Sequence, residues 1–264
     1  MAQDDDTHKY TLELLKGLAD RPQLYVYCKQ VDLLNDAKEF DQCFDLLASP
    51  PLELKDHVEI LWRTARSDYD RAQQKPSDRH WQEKWIKAGM PWAERALATD
   101  PSNWAAHKWY AILISQLGAF ISKKKQIFNA FAIKEHALRA LELKPGDPVL
   151  LHVLGRWCYE VAGISWVQSK LAIALDIAIP QSTYQSAYDY FKQADARHHW
   201  IANLYYLALS SHAMDDTALE HTYYRAVLDL PCLSPMDAHY QGLATSKFNH
   251  TEQYPFQYRL ALSE

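Results

Sequence analysis

Glycine is scarce in this sequence, 7 in 264 residues, and nowhere clustered. A phosphate cradle, a dinucleotide-binding turn or a tight β-meander each needs grouped glycines, so none of these is encoded. Paired cysteines are missing as well. Cys28, Cys43, Cys158 and Cys232 lie far apart without a Cys-x-x-Cys spacing. Such a pattern reads as reduced, mostly buried thiols and argues against a disulfide framework or a zinc site. No apolar run reaches the ~18–20 residues that span a bilayer. The opening Met1-Ala2-Gln3-Asp4-Asp5-Asp6 is acidic where a signal or transit peptide is basic and apolar. The expected setting is therefore soluble and cytoplasmic.

Positive charge is also short. The net charge of −5 gives the chain as a whole no attraction for nucleic acid, tubulin or anionic lipid, so any such partner must meet a local basic patch. Local catalytic signatures are absent: no His-Glu-x-x-His, Gly-x-Ser-x-Gly or Walker pattern occurs. The 12 histidines are scattered, and the adjacent pair His198-His199 points about 100° apart on a helix, a poor metal pair. The sequence predicts a non-enzyme with no cofactor and no metal.

What is present is apolar, aromatic and helical. The 48% apolar content is enough for one substantial core, and the 9 Trp and 16 Tyr are expected mostly inside it. Trp109, Ile112, Leu113, Leu117 and Phe120 recur at helical spacing, and no long segment alternates as a strand does. Proline–polar breaks punctuate the pattern at Ser49-Pro50-Pro51, Lys75-Pro76, Asp100-Pro101, Lys144-Pro145-Gly146-Asp147-Pro148, Pro180-Gln181, Pro231 and Ser234-Pro235. Proline cannot continue a helix, while Ser, Asp and Asn cap the next one. The breaks predict roughly ten helices, with Pro91 marking a kink or a fresh start. Residues 1–9 read as an acidic disordered tail. Residues 10–264 read as a single helical domain closed by a polar capping helix near 235–250.

One nine-residue pattern repeats. Ala93-Glu94-Arg95-Ala96-Leu97-Ala98-Thr99-Asp100-Pro101 returns as Ala137-Leu138-Arg139-Ala140-Leu141-Glu142-Leu143-Lys144-Pro145 and again at Tyr223–Pro231. A copy without the proline runs from Tyr188 to Ala196. Each resembles the second helix of a tetratricopeptide repeat, with a small residue where helices cross and a proline that ends the unit. Leu154-Gly155 matches the Leu-Gly pair of that repeat's first helix. Glycine costs about 1 kcal/mol inside a helix, so Gly155 implies close helix–helix contact. The expected fold is all-α: a tetratricopeptide-like α-solenoid of antiparallel helix pairs with irregular repeat lengths. Ala96 to Ala140 is 44 residues, Ala140 to Ala194 is 54 and Ala194 to Ala226 is 32, against about 34 in a regular array. The excess is expected as enlarged inner loops at Ile121–Phe131 and Gly163–Thr183, where function concentrates in a solenoid.

Asn103-Trp104-Ala105-Ala106-His107-Lys108-Trp109-Tyr110-Ala111, Phe131-Ala132-Ile133-Lys134-Glu135-His136, Leu154-Gly155-Arg156-Trp157-Cys158-Tyr159, Ser165-Trp166 and Lys170-Leu171-Ala172 go beyond generic repeats. Over about residues 85–232 they resemble the regulator of microtubule dynamics family. The resemblance implies a tetratricopeptide-like protein associated with microtubules and spindle organisation. It further implies a rival role, because a membrane-anchored relative binds and transfers phospholipid at organelle contacts. This chain departs from the anchored relatives in having no transmembrane segment and no paired phenylalanines in an acidic tract.

Three candidate sites emerge. Lys123-Lys124-Lys125 is the sole run of three basic residues, and the segment 121–144 holds six basic and two acidic residues. Tubulin and phospholipid headgroups are acidic, so this basic loop is where either partner would touch; a plain solvated loop is the other reading. In tetratricopeptide register, Lys108, Val149, His152, Arg156, Tyr159, Asn203, Tyr206 and Ser210 face a concave groove. Arg156 stands out there because a guanidinium pairs with carboxylate or phosphate. The alternative is that Arg156 pairs with an internal acid while His152 packs in the core. The apolar insert Ile164–Ile179, with Trp166, Leu171 and Leu175, is either a lining for an acyl chain or one more packed helix.

Overall fold

The computed structural model of the protein describes residues 22–165, 169–170 and 178–253. Among these residues there is no strand. The α-helices in chain order are α1 (Pro22–Asp36), α2 (Phe40–Ala48), α3 (Val58–Gln73), α4 (Arg79–Thr99), α5 (Trp104–Leu117) and α6 (Lys123–Leu143). They continue as α7 (Pro148–Ala162), α8 (Tyr184–Asp195), α9 (Ile201–Ala213), α10 (Thr217–Asp229) and α11 (Pro235–Gln253). A 3₁₀ turn, Gly118–Phe120, follows α5.

Local chemistry sets the boundaries. Asp78, Asn103, Ser122, Asp147, Thr183 and Asp216 each accept a backbone N–H from the first turn of the helix that follows, satisfying otherwise orphan donors. Pro148 stands at the start of α7, where its missing N–H costs nothing. Gly146 turns the preceding chain through φ +80°, a left-handed conformation. Pro91 starts no new helix: α4 runs unbroken through it.

Helices pair in sequence as α3/α4, α5/α6, α7/α8 and α9/α10, each pair packing on the next. α1 and α2 precede the array, and α11 lies against α9 and α10. All four copies of the repeated pattern fall on second helices, α4, α6, α8 and α10. Small residues on these helices are the crossing points: Ala93, Ala96, Ala137, Ala140 and Ala194, with Ala187 just before its copy, have no exposed surface. In the last copy Tyr223, Tyr224 and Val227 are buried, while Ala226, the counterpart of Ala96 and Ala140, is half-buried. Gly155 of α7 lies against Phe191 of α8, whose ring occupies the space a β-carbon would need.

Two polar ties stabilise the ends of the array. Arg63, buried on α3, pairs with Asp32 of α1 (2.6 Å) and Glu59 (2.7 Å). Lys38, in the turn after α1, donates to the Leu233 carbonyl before α11 at 3.2 Å, so the first and last hairpins meet. Cys28, Cys43 and Cys158 are buried free thiols and Cys232 is an exposed one.

Ile121–Phe131 is not the enlarged loop that the repeat spacing predicts, because α6 begins at Lys123 and adds its length to the second helix of the unit. The side chain of Ser122 caps that start, and the lysines, Gln126 and Ala130 after it are good helix formers. Of the second expected loop, residues 166–168 and 171–177 lie outside the described residues, as does the acidic tail 1–9.

Candidate functional site

A cavity of about 640 Å³ opens between the end of α5, the first half of α6 and the face of α7. Its walls are mainly apolar, with Ile127, Ala130 and Ile133 from α6 opposite Val153, Trp157 and Val161 from α7. Arg156, Lys123 and Lys124 supply positive charge, and Glu160 is the acid on the lining. Ile164, the first residue of the apolar insert, and Gly163 and Pro180, which flank the insert, complete it. The structure thus gathers residues from all three sequence-predicted regions around one cavity. Trp157 Nε1 donates to the Ala130 carbonyl at 2.6 Å and ties α6 to α7 across the cavity wall. Gln126 Nε2 donates to the Gly118 carbonyl at 2.7 Å and fixes the start of α6 on the 3₁₀ turn.

Arg156 is half-buried, with its guanidinium 5.1 Å from the ring centre of Tyr206. Its Nε has no hydrogen-bond partner, and among the described residues no carboxylate forms an ion pair with it. A guanidinium stays charged at any physiological pH, so a desolvated, unpaired one is suited to an incoming anion. Tyr159 and Tyr206 stand beside it, 6.2 Å apart between ring centres. Burial pushes the Tyr159 hydroxyl up to about 12, with Tyr184, Glu160 and Tyr206 adding to the rise. Tyr240 of α11 reaches the same place, its ring 6.3 Å from Tyr206.

The other predicted groove residues have different employment. His152 and Asn203 are buried. His152 Nδ1 bonds to Asn203 Oδ1 at 3.0 Å, and Asn203 Nδ2 donates to the Phe191 carbonyl at 2.9 Å. Burial, aided by the charge of Arg156, drives His152 down to about 3, so it is neutral and donates from Nδ1 to the amide oxygen. These two residues brace α7, α8 and α9 behind the groove. Ser210 is fully buried, while Val149 is exposed. Lys108 pairs with Asp147 at 2.7 Å, away from Arg156. Burial alone raises the Asp147 carboxyl, but the charge and hydrogen bond of Lys108 outweigh it and hold the group below its ordinary value. Lys123, Lys124 and Lys125 are exposed in the first turn of α6, on a helix rather than a loop. Trp166, Leu171 and Leu175 lie outside the described residues.

Sequence reading missed Trp157, Ile127 and Ile133 as cavity residues. For the two isoleucines the signal was the i, i+3 and i, i+6 spacing of Ile127, Ala130 and Ile133 in α6, obscured while the segment up to Phe131 was read as a loop. Among the described residues no group of three or more His, Cys, Asp or Glu side chains is placed to hold a metal. No helix of the described residues is long and apolar enough to cross a membrane.

A family model described as "Regulator of microtubule dynamics protein 1-3" matches residues 27–252. Regulator of microtubule dynamics protein 1 of Bos taurus is 37% identical over 167 residues, covering 63% of this chain and 52% of the relative. Regulator of microtubule dynamics protein 3 of Xenopus laevis is 39% identical over 158 residues, 58% of this chain and 33% of the relative. Protein 2 of Bos taurus is 27% identical over 208 residues, 77% of this chain and 50% of the relative. The chain spans about half the length of the protein 1 relatives it matches. Among solved structures, a thermophilic TPR protein of Thermus thermophilus superposes with a TM-score of 0.55 at 13% identity, covering 84% of this chain and 97% of that one. The fold is therefore a tetratricopeptide-like solenoid.

Proposed function

This chain belongs to the regulator of microtubule dynamics protein 1-3 family, and on that premise we propose that it is a non-enzymatic scaffold that associates with microtubules and acts in their dynamics or in spindle organisation. The observation that carries this reading is the exposed run Lys123-Lys124-Lys125, set in the first turn of α6 of a chain whose net charge is −5. A rigid array of packed helix pairs holds those ammonium groups outward, where they attract an acidic protein surface such as tubulin's. Arg156, Tyr159 and Tyr206 offer a second, partly desolvated contact for an acidic side chain. The relatives' names support the microtubule role. On this reading the protein works on the cytoskeleton, and α11 is the closing helix of a single domain. Co-sedimentation of the full chain with purified microtubules is the test. Binding should weaken as salt rises, and replacing the three lysines by glutamate should abolish it. Undiminished pelleting of that variant refutes the assignment.

A second reading has its own support in the cavity. Some 640 Å³ of mainly apolar space with Arg156, Lys123 and Lys124 on its lining suits an amphipathic anion such as a phospholipid. Native mass spectrometry of protein purified from cells discriminates: a co-purifying lipid mass supports this reading, and a clean apo mass removes it.

A further inference from the structure

α6 is 21 residues long, yet both of its buried residues, Ala137 and Ala140, lie in its last third. Its first half touches the core along one face only, through the partly buried Ala130, Ala132 and Ile133. One side of that half, Ile127, Ala130 and Ile133, walls the cavity. Another side carries Phe128 and Phe131, which are 55% and 45% exposed. Neither ring contacts another aromatic or a cation among the described residues. A single exposed apolar side chain needs no explanation, but two aromatic rings one helical turn apart, flanked by lysines, make a surface of defined chemistry. Spacings of three and four residues line up Lys124, Phe128, Phe131 and Glu135 as one stripe, and place Lys125 three residues before Phe128.

Resting on the microtubule reading, we infer that Phe128 and Phe131 are the apolar anchors of the face that docks on an acidic protein surface, the flanking lysines serving to steer and orient it. Exposed lysines alone make weak contacts that salt screens, so they set the rate of encounter more than the lifetime of a complex. Lifetime comes from aromatic side chains that lose water in a recess of the partner. The partner surface must then combine carboxylates with an apolar recess that takes two rings ~5–6 Å apart. Charge complementarity favours a protein over an anionic bilayer, because the stripe ends in Glu135, exposed like its neighbours. A uniformly anionic bilayer repels that carboxylate, whereas a partner protein carries both signs of charge.

The experiment compares the full chain with three variants on microtubules: Phe128→Ser/Phe131→Ser, Phe128→Leu/Phe131→Leu, and the three-lysine-to-glutamate variant. The serine pair should bind roughly tenfold or more weakly through faster dissociation, with the salt dependence of association unchanged. The leucine pair should stay near wild type. The lysine variant should instead lose association rate and salt dependence. Both phenylalanines are exposed, so circular dichroism melts of the variants should coincide with wild type. Binding of the serine pair within twofold of wild type, while the lysine variant fails, overturns the anchors and leaves the microtubule reading standing. A wild-type chain that never pellets with microtubules overturns the reading itself. Flotation with phosphatidylcholine vesicles, with and without phosphatidylserine, closes the comparison. Phenylalanine-dependent capture by the anionic vesicles in place of microtubules overturns the protein-surface assignment.

Discussion

Replacing Gly155 with alanine tests the close crossing of α7 and α8. Alanine normally gains about 1 kcal/mol over glycine inside a helix. Here a β-carbon would stand 2.6 Å from Cδ1 and Cε1 of Phe191 and 2.9 Å from its Cζ. Favourable carbon contacts lie at about 3.5–4.0 Å, so the ring must retreat by about 1 Å. It has nowhere to go: Phe191 has no exposed surface, Tyr206 stacks on it at 5.5 Å and His152 lies 5.3 Å away. Overpacking of a tight core costs about 1–3 kcal/mol and outweighs the propensity gain. Set against that gain, the expected net loss is up to about 2 kcal/mol, or up to roughly 8 °C in melting temperature for a chain of this size. Urea unfolding followed by circular dichroism measures it. Gly242, inside α11 with open space where its β-carbon would stand, is the control, and its alanine variant should gain stability. Adding Phe191→Leu to Gly155→Ala should recover part of the loss, so that the two substitutions couple favourably in a double-mutant cycle. A Gly155→Ala protein more stable than wild type refutes the packing argument.

Other predictions follow from the polar interior. Asp68 is buried, and burial pushes its carboxyl up to about 7 against the opposing charge of Arg71. A raised carboxyl binds its proton more tightly in the folded state, so stability should fall as pH rises from about 4 to 7. At about 1.4 kcal/mol per unit the full penalty is at most about 4 kcal/mol. Asp68→Asn should flatten that part of the pH–stability curve and raise stability at pH 8, and an unchanged curve refutes the assignment. Asp147 has the opposite sign: Lys108 holds its carboxyl low, so its contribution is present at neutral pH and is lost as pH falls through the folded value. Lys108→Met should therefore destabilise the protein most at neutral pH and little at pH 2. Asn203→Ala strips His152 and the Phe191 carbonyl of their partner and should cost about 1–3 kcal/mol in urea unfolding.

The helices and their pairing were legible in one dimension. Proline cannot continue a helix and Asp, Asn and Ser cap the next, so Asp100-Pro101-Ser102-Asn103 and Pro145-Gly146-Asp147-Pro148 marked boundaries by local chemistry alone. The repeated alanines marked the crossings because a small side chain at a fixed helical position lets two helices approach, and Gly155 told of one approach tighter still. How each polar residue spends its hydrogen bonds was not legible. His152 and Asn203 fit the groove register, yet they meet across 51 positions of chain as a buried brace. Arg156 fits it equally, yet its Nε is buried without a hydrogen-bond partner and no carboxylate among the described residues forms an ion pair with it. The lysine run was visible, but that it opens a helix whose first half meets the core along one face only, with a cavity on one side and Phe128 and Phe131 on another, depends on what α7 covers. Periodicity and caps are local, so a single stretch of chain carries them. Desolvation and pairing are set by neighbours far apart in the chain, and for them the tertiary structure was decisive.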